Sequence, residues 1–553
     1  LDSKTIVQLH FNATVPRQSS SDNRTPKRQP FFKMTGSQRV ENDGKTGERM
    51  ESELAFWNLK AGRLRLSILL CLAVGSIAMA RNSLSMAMVC MVNSNFKGST
   101  SDLRSDNGRQ SVLPKSAQHC PPAELAGHFN WSKEQQDILF SAVYWGALIS
   151  GIPGGILADK YGSTNIIFFC LVGTALSMAI IPTAAYSSGY ESVFALRLAT
   201  GVFGQGAVVP AVGSLMSKWI PPTERSSVIA MYTAGNQISN VIGMPLNAFL
   251  CQQRQLFGGW PSIFYLCSLL GLIVGFLWLA VVTDSPDKSY WVTQREIVMI
   301  DRALKSHRSS TKLNIPLRQL PWRKLLFSWP LISVNINCFT YQFVSTMLST
   351  YMPIYFKEAM HLNIRQNGVV SALPYIAQLV TKLIFAAMAD RMKSNRPTEA
   401  TKICKIFNSV ATFGAGSFLL ALSLVDCQHS AEAIAFMIMA NALISGAVPG
   451  FMTSTLSVAP NYSGTVSSIS KYHGQVAAVI TPYFIGAMLH GDTPEQWHPV
   501  FSVVGVALFS SGIIFIIFGS CEIQDWAKVT QDNDHTMSSI DNVKHKSKRT
   551  VYS

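Results

Sequence analysis

Apolar stretches near or beyond ~20 residues recur along most of this chain, each long enough to cross a ~30 Å hydrocarbon core as a helix. A bilayer interior offers no water to backbone N–H and C=O groups, so such a chain is confined to helices packed on helices. The stretches fall roughly at 64–92, 134–157, 164–186, 191–216, 226–250 and 262–283, then at 330–355, 366–389, 403–425, 430–452, 465–490 and 497–520. They predict an all-α membrane protein of twelve transmembrane helices in two sets of six. Composition agrees: 48% of the 553 residues are apolar and 14% are charged, against roughly a quarter charged in soluble domains. No cleavable signal peptide is expected, because the first sixty residues are polar and lack an apolar h-region.

Charge divides the chain further. The segment between the two sets carries Arg295, Arg302, Lys305, Arg308, Lys312, Arg318, Arg323 and Lys324 against few acids. An even number of spans puts this linker and both tails on one side, and the basic bias makes that side cytosolic. The net charge of +15 therefore reads as membrane topology rather than as nucleic-acid binding. The expected organisation is a disordered N-terminal tail at 1–60, a first half at 61–284, a cytosolic linker at 285–329, a second half at 330–520 and a C-terminal tail at 521–553. The long loop near 93–133 faces the other side and holds the glycosylation sequon Asn130-Trp131-Ser132. Sequons at Asn12, Asn23 and Asn461 fall on the cytosolic side and are expected to stay unused. Ten scattered cysteines without metal-ligand spacing read as small core residues, with Cys120 the one most suited to a disulfide. Glycines and prolines within the spans, such as Gly151-Ile152-Pro153-Gly154-Gly155, suit close packing and bending around a cavity.

Two charges stand inside apolar helices: Arg81 in the first span and Arg197 in the fourth. An arginine at mid-bilayer costs at least ~2.5–3.5 kcal/mol, which is tolerated where it faces a cavity, a partner or a substrate. Arg81 lies roughly 16 Å, and Arg197 roughly 9 Å, below the non-cytosolic ends of their spans at 1.5 Å per residue. Antiparallel neighbours bring those depths to one cavity, where two guanidinium groups can grip a carboxylate or phosphate. The alternatives are pairing with an internal acid or snorkelling to the surface. The second half adds Lys382, Lys471, His473 and Tyr341 with Gln342. The two lysines read either as further anion contacts or as gate residues. His473 reads either as a proton relay or as a helix-packing side chain. Asn236, Gln237 and Asn240 form a polar patch on the fifth span.

Between the second and third spans the chain reads Gly155-Ile156-Leu157-Ala158-Asp159-Lys160-Tyr161-Gly162. This resembles the G-x-L-A-D-R-x-G signature of the major facilitator superfamily, and Ala389-Asp390-Arg391 is a weaker echo after the eighth span. The resemblance gives Gly155, Gly162, Asp159 and Asp390 a conformational role at the cytosolic face. Lys218-Trp219-Ile220-Pro221-Pro222-Thr223-Glu224-Arg225-Ser226 is similar to the K-W-x-P-P-x-E-R-S block of the anion:cation symporter family. That family contains sialin, the vesicular glutamate transporters and the type I sodium–phosphate cotransporters. Gly259-Trp260-Pro261, Asp284-Ser285-Pro286, Ser371-Ala372-Leu373-Pro374-Tyr375 and Glu522-Ile523-Gln524-Asp525-Trp526 continue the likeness in order. The surroundings of Arg81 and Arg197 match the family's first and fourth helices.

The resemblance implies alternating-access transport of an organic anion or phosphate, with sodium, protons or voltage as the drive and the bilayer as surroundings. It also marks departures. Positions that carry acids and a histidine in sialin-like members hold Thr200, Gln205 and Gly213 here, and the family's D-I-A-P acid is Ser457. Residues that align with functional side chains of the glutamate transporters are Phe140, Tyr341 and Tyr375. Sodium or membrane potential is therefore expected rather than carboxylate-based proton coupling, with Gln205 as a possible coupling position. The rival expectation is proton-coupled transport of acidic sugars or of an anionic transmitter in an acidic organelle. A non-transporting membrane sensor is a third. The loops show no nucleophile–base set, HExxH or phosphate-binding glycine loop, so no enzyme and no resident cofactor are expected. The expected working unit is a monomer, in the plasma membrane or an endolysosomal or vesicle membrane.

Overall fold

The computed structural model describes residues 61–93, 127–221, 224–253, 258–310, 322–425, 427–459, 463–489 and 496–527, with positions 58 and 255. The first half is built from α1 (Gly62–Met91), α2 (Lys133–Tyr161), α3 (Ser163–Ser187), α4 (Tyr190–Trp219), α5 (Arg225–Gln252) and α6 (Trp260–Val281). The linker holds α7 (Gln294–Ser310) and the short α8 (Trp322–Leu326). The second half is α9 (Trp329–Glu358), α10 (Ile364–Asn395), α11 (Ala400–Leu422), α12 (Ser430–Ser457), α13 (Ser463–Met488) and α14 (Trp497–Phe518). Among the described residues nine of these helices are long and apolar enough to cross a membrane. The other three of span length, α5, α9 and α13, are richer in polar side chains.

Local chemistry sets the helix ends. Ser132 and Gln135 form a reciprocal capping box at the start of α2, with Gln135 N donating to Ser132 Oγ at 3.2 Å and Ser132 N to Gln135 Oε1 at 3.0 Å. Gly162, at φ +92°, turns the chain between α2 and α3. A Cβ there would lie 2.3 Å from Asp284 Oδ2, while Asp284 Oδ1 accepts from Thr164 N at 2.9 Å and caps α3. The α2–α4 seam is equally tight: a Cβ on Gly201 would sit 1.9 Å from Val143 O, and one on Gly146 2.1 Å from Leu198 O. Helices that touch this closely need small residues on both sides.

Three spans depart from regular α geometry. A π-turn interrupts α4 at Val202–Gly206, α11 at Val410–Gly414 and α12 at Val448–Met452. The sequence offered no sign of these turns.

The halves meet along three helix pairs: α1 with α9, α2 with α13 and α5 with α10. The hydrogen-bonded contacts between them lie at mid-depth or toward the face opposite the linker. There Ser85 Oγ donates to Thr350 O, Ser141 Oγ to Val479 O at 3.1 Å, and Lys357 Nζ to Val89 O at 2.7 Å. On the linker face the first half closes on its own connection instead. Arg63, fully buried, pairs with Glu224 and, through Nε at 3.0 Å, with Glu296 of α7. Glu296 also accepts from Gly62 N at 2.9 Å, capping α1.

The cysteines require a correction. Cys90 and Cys251 are joined by a disulfide that ties α1 to α5 near the face opposite the linker, so they are not merely small core residues. Cys120 lies outside the described residues, as do both tails and the sequons at Asn12, Asn23 and Asn461. Asn130 is exposed just ahead of the α2 capping box.

Candidate functional site

Arg81 sits ten residues from the far end of α1, roughly 15 Å deep, and is half-buried. Its Nε donates to Asn82 Oδ1 at 3.1 Å, and its Nη2 reaches Asn236 Oδ1 of α5 at a long 3.5 Å. Arg197 of α4 is 1% exposed. It donates through Nη1 to Ala80 O at 3.4 Å and through Nη2 to Arg81 O at 3.1 Å. Its Nε has no partner. The two arginines therefore converge, but on different terms. Arg197 grips the α1 backbone from which Arg81 projects, and Arg81 keeps most of its donor capacity for the cavity.

That cavity is narrow and is lined by both arginines, Asn82, Ser85, Phe140, Tyr144 and, from the second half, Thr350. No carboxylate is among its lining residues. A buried guanidinium without a carboxylate is held by carbonyl dipoles here, which leaves its positive field uncancelled for an incoming anion.

The polar patch on α5 extends the site across to the second half. Thr233, Asn236, Gln237 and Asn240 recur at three- and four-residue spacing, so they share one helix face. Asn240 Oδ1 accepts from Asn82 Nδ2 at 2.7 Å, and Gln237 Nε2 donates to Gln378 Oε1 of α10 at 3.4 Å. Lys382 of α10, 6% exposed, donates to Thr233 Oγ1 at 2.8 Å. Arg81 and Lys382 thus approach the same face of α5 one turn apart, one from each half. The hydroxyl of Tyr375 and the Oε1 atoms of Gln205 and Gln237 are buried without partners. Each is an open position for a polar ligand or water.

The remaining sequence candidates stand elsewhere. Tyr341 packs its ring 5.8 Å from Phe451 and lines a second cavity inside the second half with Asn337, Asn408 and Thr412. Lys471 is exposed on α13, and His473, also exposed, bonds through Nδ1 to Ile469 O of its own helix at 2.8 Å. At the linker face Asp159 is exposed and accepts from Ser214 Oγ at 3.0 Å, within its own half. Asp390 is exposed at the end of α10. Gly155 lies 3.4 Å, measured from a built Cβ, from Pro210 of α4, which is ordinary contact.

Sequence reasoning missed Gln378 and Asp137. Asp137 is buried where α2 meets the second half, and Tyr351 donates its hydroxyl proton to Asp137 Oδ1. It sits in the polar run Lys133-Glu134-Gln135-Gln136-Asp137, which reads as the solvated start of a helix.

Comparison with known proteins agrees with this architecture. The profile described as Major Facilitator Superfamily matches residues 70–482. The chain is 28% identical over 480 residues to sialin of Homo sapiens, covering 86% of this chain and 92% of sialin. It is 28% identical over 468 residues to a putative inorganic phosphate cotransporter of Drosophila ananassae, covering 84% and 94%. It is 30% identical over 403 residues to vesicular glutamate transporter 1 of Bos taurus, covering 72% and 70%. Among solved structures, the inward-open xylose transporter XylE from E. coli superposes with a TM-score of 0.59 at 12% identity, over 82% of this chain and 96% of XylE. At that identity the likeness is one of fold.

Proposed function

The chain belongs to the Major Facilitator Superfamily, in its anion:cation symporter family, and from that premise we propose how it moves an organic anion or inorganic phosphate by alternating access. The anion enters between the halves and displaces the weak Arg81–Asn236 contact. Arg81 grips it, Arg197 holds Arg81 in place and adds its field, and Lys382 meets it from the second half. The observation that carries this reading is the approach of Arg81 and Lys382, from opposite halves, to one face of α5. An anion shared by two cations on different halves draws those halves together, and that differential contact is what a ligand needs to shift a conformational equilibrium.

The lining supports a reading of the drive. With arginines, amides and hydroxyls but no carboxylate around the cavity, sodium entry or membrane potential suits the site better than a carboxylate proton relay within it. A ~100 mV potential supplies ~2.3 kcal/mol per elementary charge moved. The Cys90–Cys251 bond supports placing that face outside the cytosol, because disulfides persist in oxidising compartments. The basic linker and tails then lie in the cytosol, and a monomer in the plasma or a vesicle membrane is sufficient for transport. Occupied glycosylation at Asn130 checks the orientation: Asn130→Gln should remove a glycosidase-sensitive gel shift.

The test is uptake into liposomes containing the purified chain, with phosphate, glutamate, sialic acid and aromatic anions run in parallel. Sodium, proton and voltage gradients are imposed separately. The expected result is flux of one anion class under sodium or voltage, lost in Arg81→Ala. Flux that needs only a proton gradient would replace this coupling with the proton-driven alternative. Absence of anion flux in folded protein would overturn the transport reading.

A further inference from the structure

Asp137 lies one turn into α2 at the face opposite the linker and is 7% exposed. The carboxyl is enclosed by three helices, one from the first half and two from the second. Tyr351 of α9 donates its hydroxyl to Asp137 Oδ1 and also lies 3.4 Å from Pro482 O of α13. A Cβ on Gly486 of α13 would sit 2.1 Å from Asp137 Oδ2, so only glycine leaves room there for the carboxyl. The contact exists only while this face is shut, because separating the halves draws α2 away from α9 and α13.

Charges nearby do not neutralise it by direct pairing. Lys133, one turn earlier on α2, has its ammonium 3.6 Å from Glu358 Oε2 of α9, and Glu134 and Glu358 add negative charge around the site. Among the described residues no cation lies within ion-pair distance of Asp137. From α13 the nearest groups to the carboxyl are Gly486 and the Pro482 carbonyl. The histidines among the described residues at this face are His128, His361, His429 and His498; burial pushes the pKa of His361, in the turn between α9 and α10, down. A carboxylate withdrawn from water with one neutral hydrogen bond and no counter-ion is costly, and taking up a proton removes that cost.

We propose that Asp137 is a proton-operated latch on the non-cytosolic face. That face closes with a proton from the outside water on Asp137, and reopens as the proton returns to that water. While the opposite face is open the latch is sealed from the cytosol, so this proton sets the timing of the cycle and is not itself carried across. This adds a control to the transport reading and leaves the anion site unchanged.

The test reads conformation, not flux, and needs no substrate, so it stands apart from any failure of the anion assignment. Spin labels are placed through Ser188→Cys and Leu424→Cys, two exposed positions on this face, one in each half. Their distance distribution is measured by pulsed electron paramagnetic resonance on the full chain in lipid nanodiscs from pH 8 to pH 5. The ratio of closed to open populations should rise as pH falls, by up to tenfold per pH unit for one linked proton. Asp137→Asn keeps the shape and an oxygen to accept from Tyr351, and should hold the ratio near its acid value at every pH. His361→Gln should leave the response intact. A pH-independent ratio in the unmodified latch, or a full response in Asp137→Asn, would overturn the proposal.

Discussion

Arg81 and Arg197 show how two identical side chains divide their labour by where their donors go. Arg197 spends both terminal nitrogens on carbonyls of α1, whereas Arg81 holds only an amide neighbour and one long contact. Arg81→Ala should therefore remove uptake at low anion concentration while leaving the melting temperature nearly unchanged. Losing a charge-assisted contact of about 1.5–3 kcal/mol corresponds to a roughly ten- to hundredfold weaker half-saturation, which Arg81→Lys should partly restore. Arg197→Ala should lose both uptake and stability, because it removes the two contacts by which α4 holds the α1 backbone and leaves a void at a fully buried position; paired transport and thermal-melt assays separate the two outcomes. Lys382→Gln should weaken anion uptake but preserve its contact with Thr233. The arginines were legible in the sequence because a charge stands out in an apolar run. Asp137 was not, since a carboxyl among polar neighbours looks solvated until the fold closes a second half over it. Where Tyr341 and His473 point was not legible either: their helices were, but the direction of a side chain around a helix depends on which neighbour packs against it.

The helices themselves were read to within a few residues, because length and apolarity fix a transmembrane element almost alone. The polar patch on α5 was also visible, because Asn236, Gln237 and Asn240 stand at helical spacing and polar side chains at mid-depth have no place facing lipid. The π-turns of α4, α11 and α12 were invisible, since a one-residue change in hydrogen-bond register is imposed by packing rather than by composition. The turn in α4 contains Gln205, between Gly201 of the seam and Gly206, which also packs against α2 at Ala147 and Ser150. The seam gives a sharp expectation. Gly201→Ala places a methyl group against the Val143 carbonyl, and should destabilise the first half by about 1–3 kcal/mol. A lowered melting temperature in detergent, with Gly213→Ala unaffected as a control in open space, checks it.

Across the whole molecule the two faces are built differently. One is closed by contacts between halves, while at the other, among the described residues, Arg63 of the first half, paired with Glu224, holds Glu296 of the linker. The linker helix α7 is therefore fastened to the first half. Glu296→Ala removes one of the acids that meet buried Arg63 and the cap on α1, a loss of roughly 1.5–3 kcal/mol, and should release α7; faster proteolysis between residues 294 and 310 would register it. The six-plus-six division and the basic linker were legible from spacing and charge. This attachment was not, because the pair joins residues 233 positions apart. The Cys90–Cys251 bond carries a consequence for biosynthesis. Both of its sulfurs have emerged from the ribosome before any residue of the second half is made, and each must reach an oxidising lumen for the bond to close. The first half can thus be fastened into its final arrangement during synthesis, giving the later helices a finished surface to assemble against.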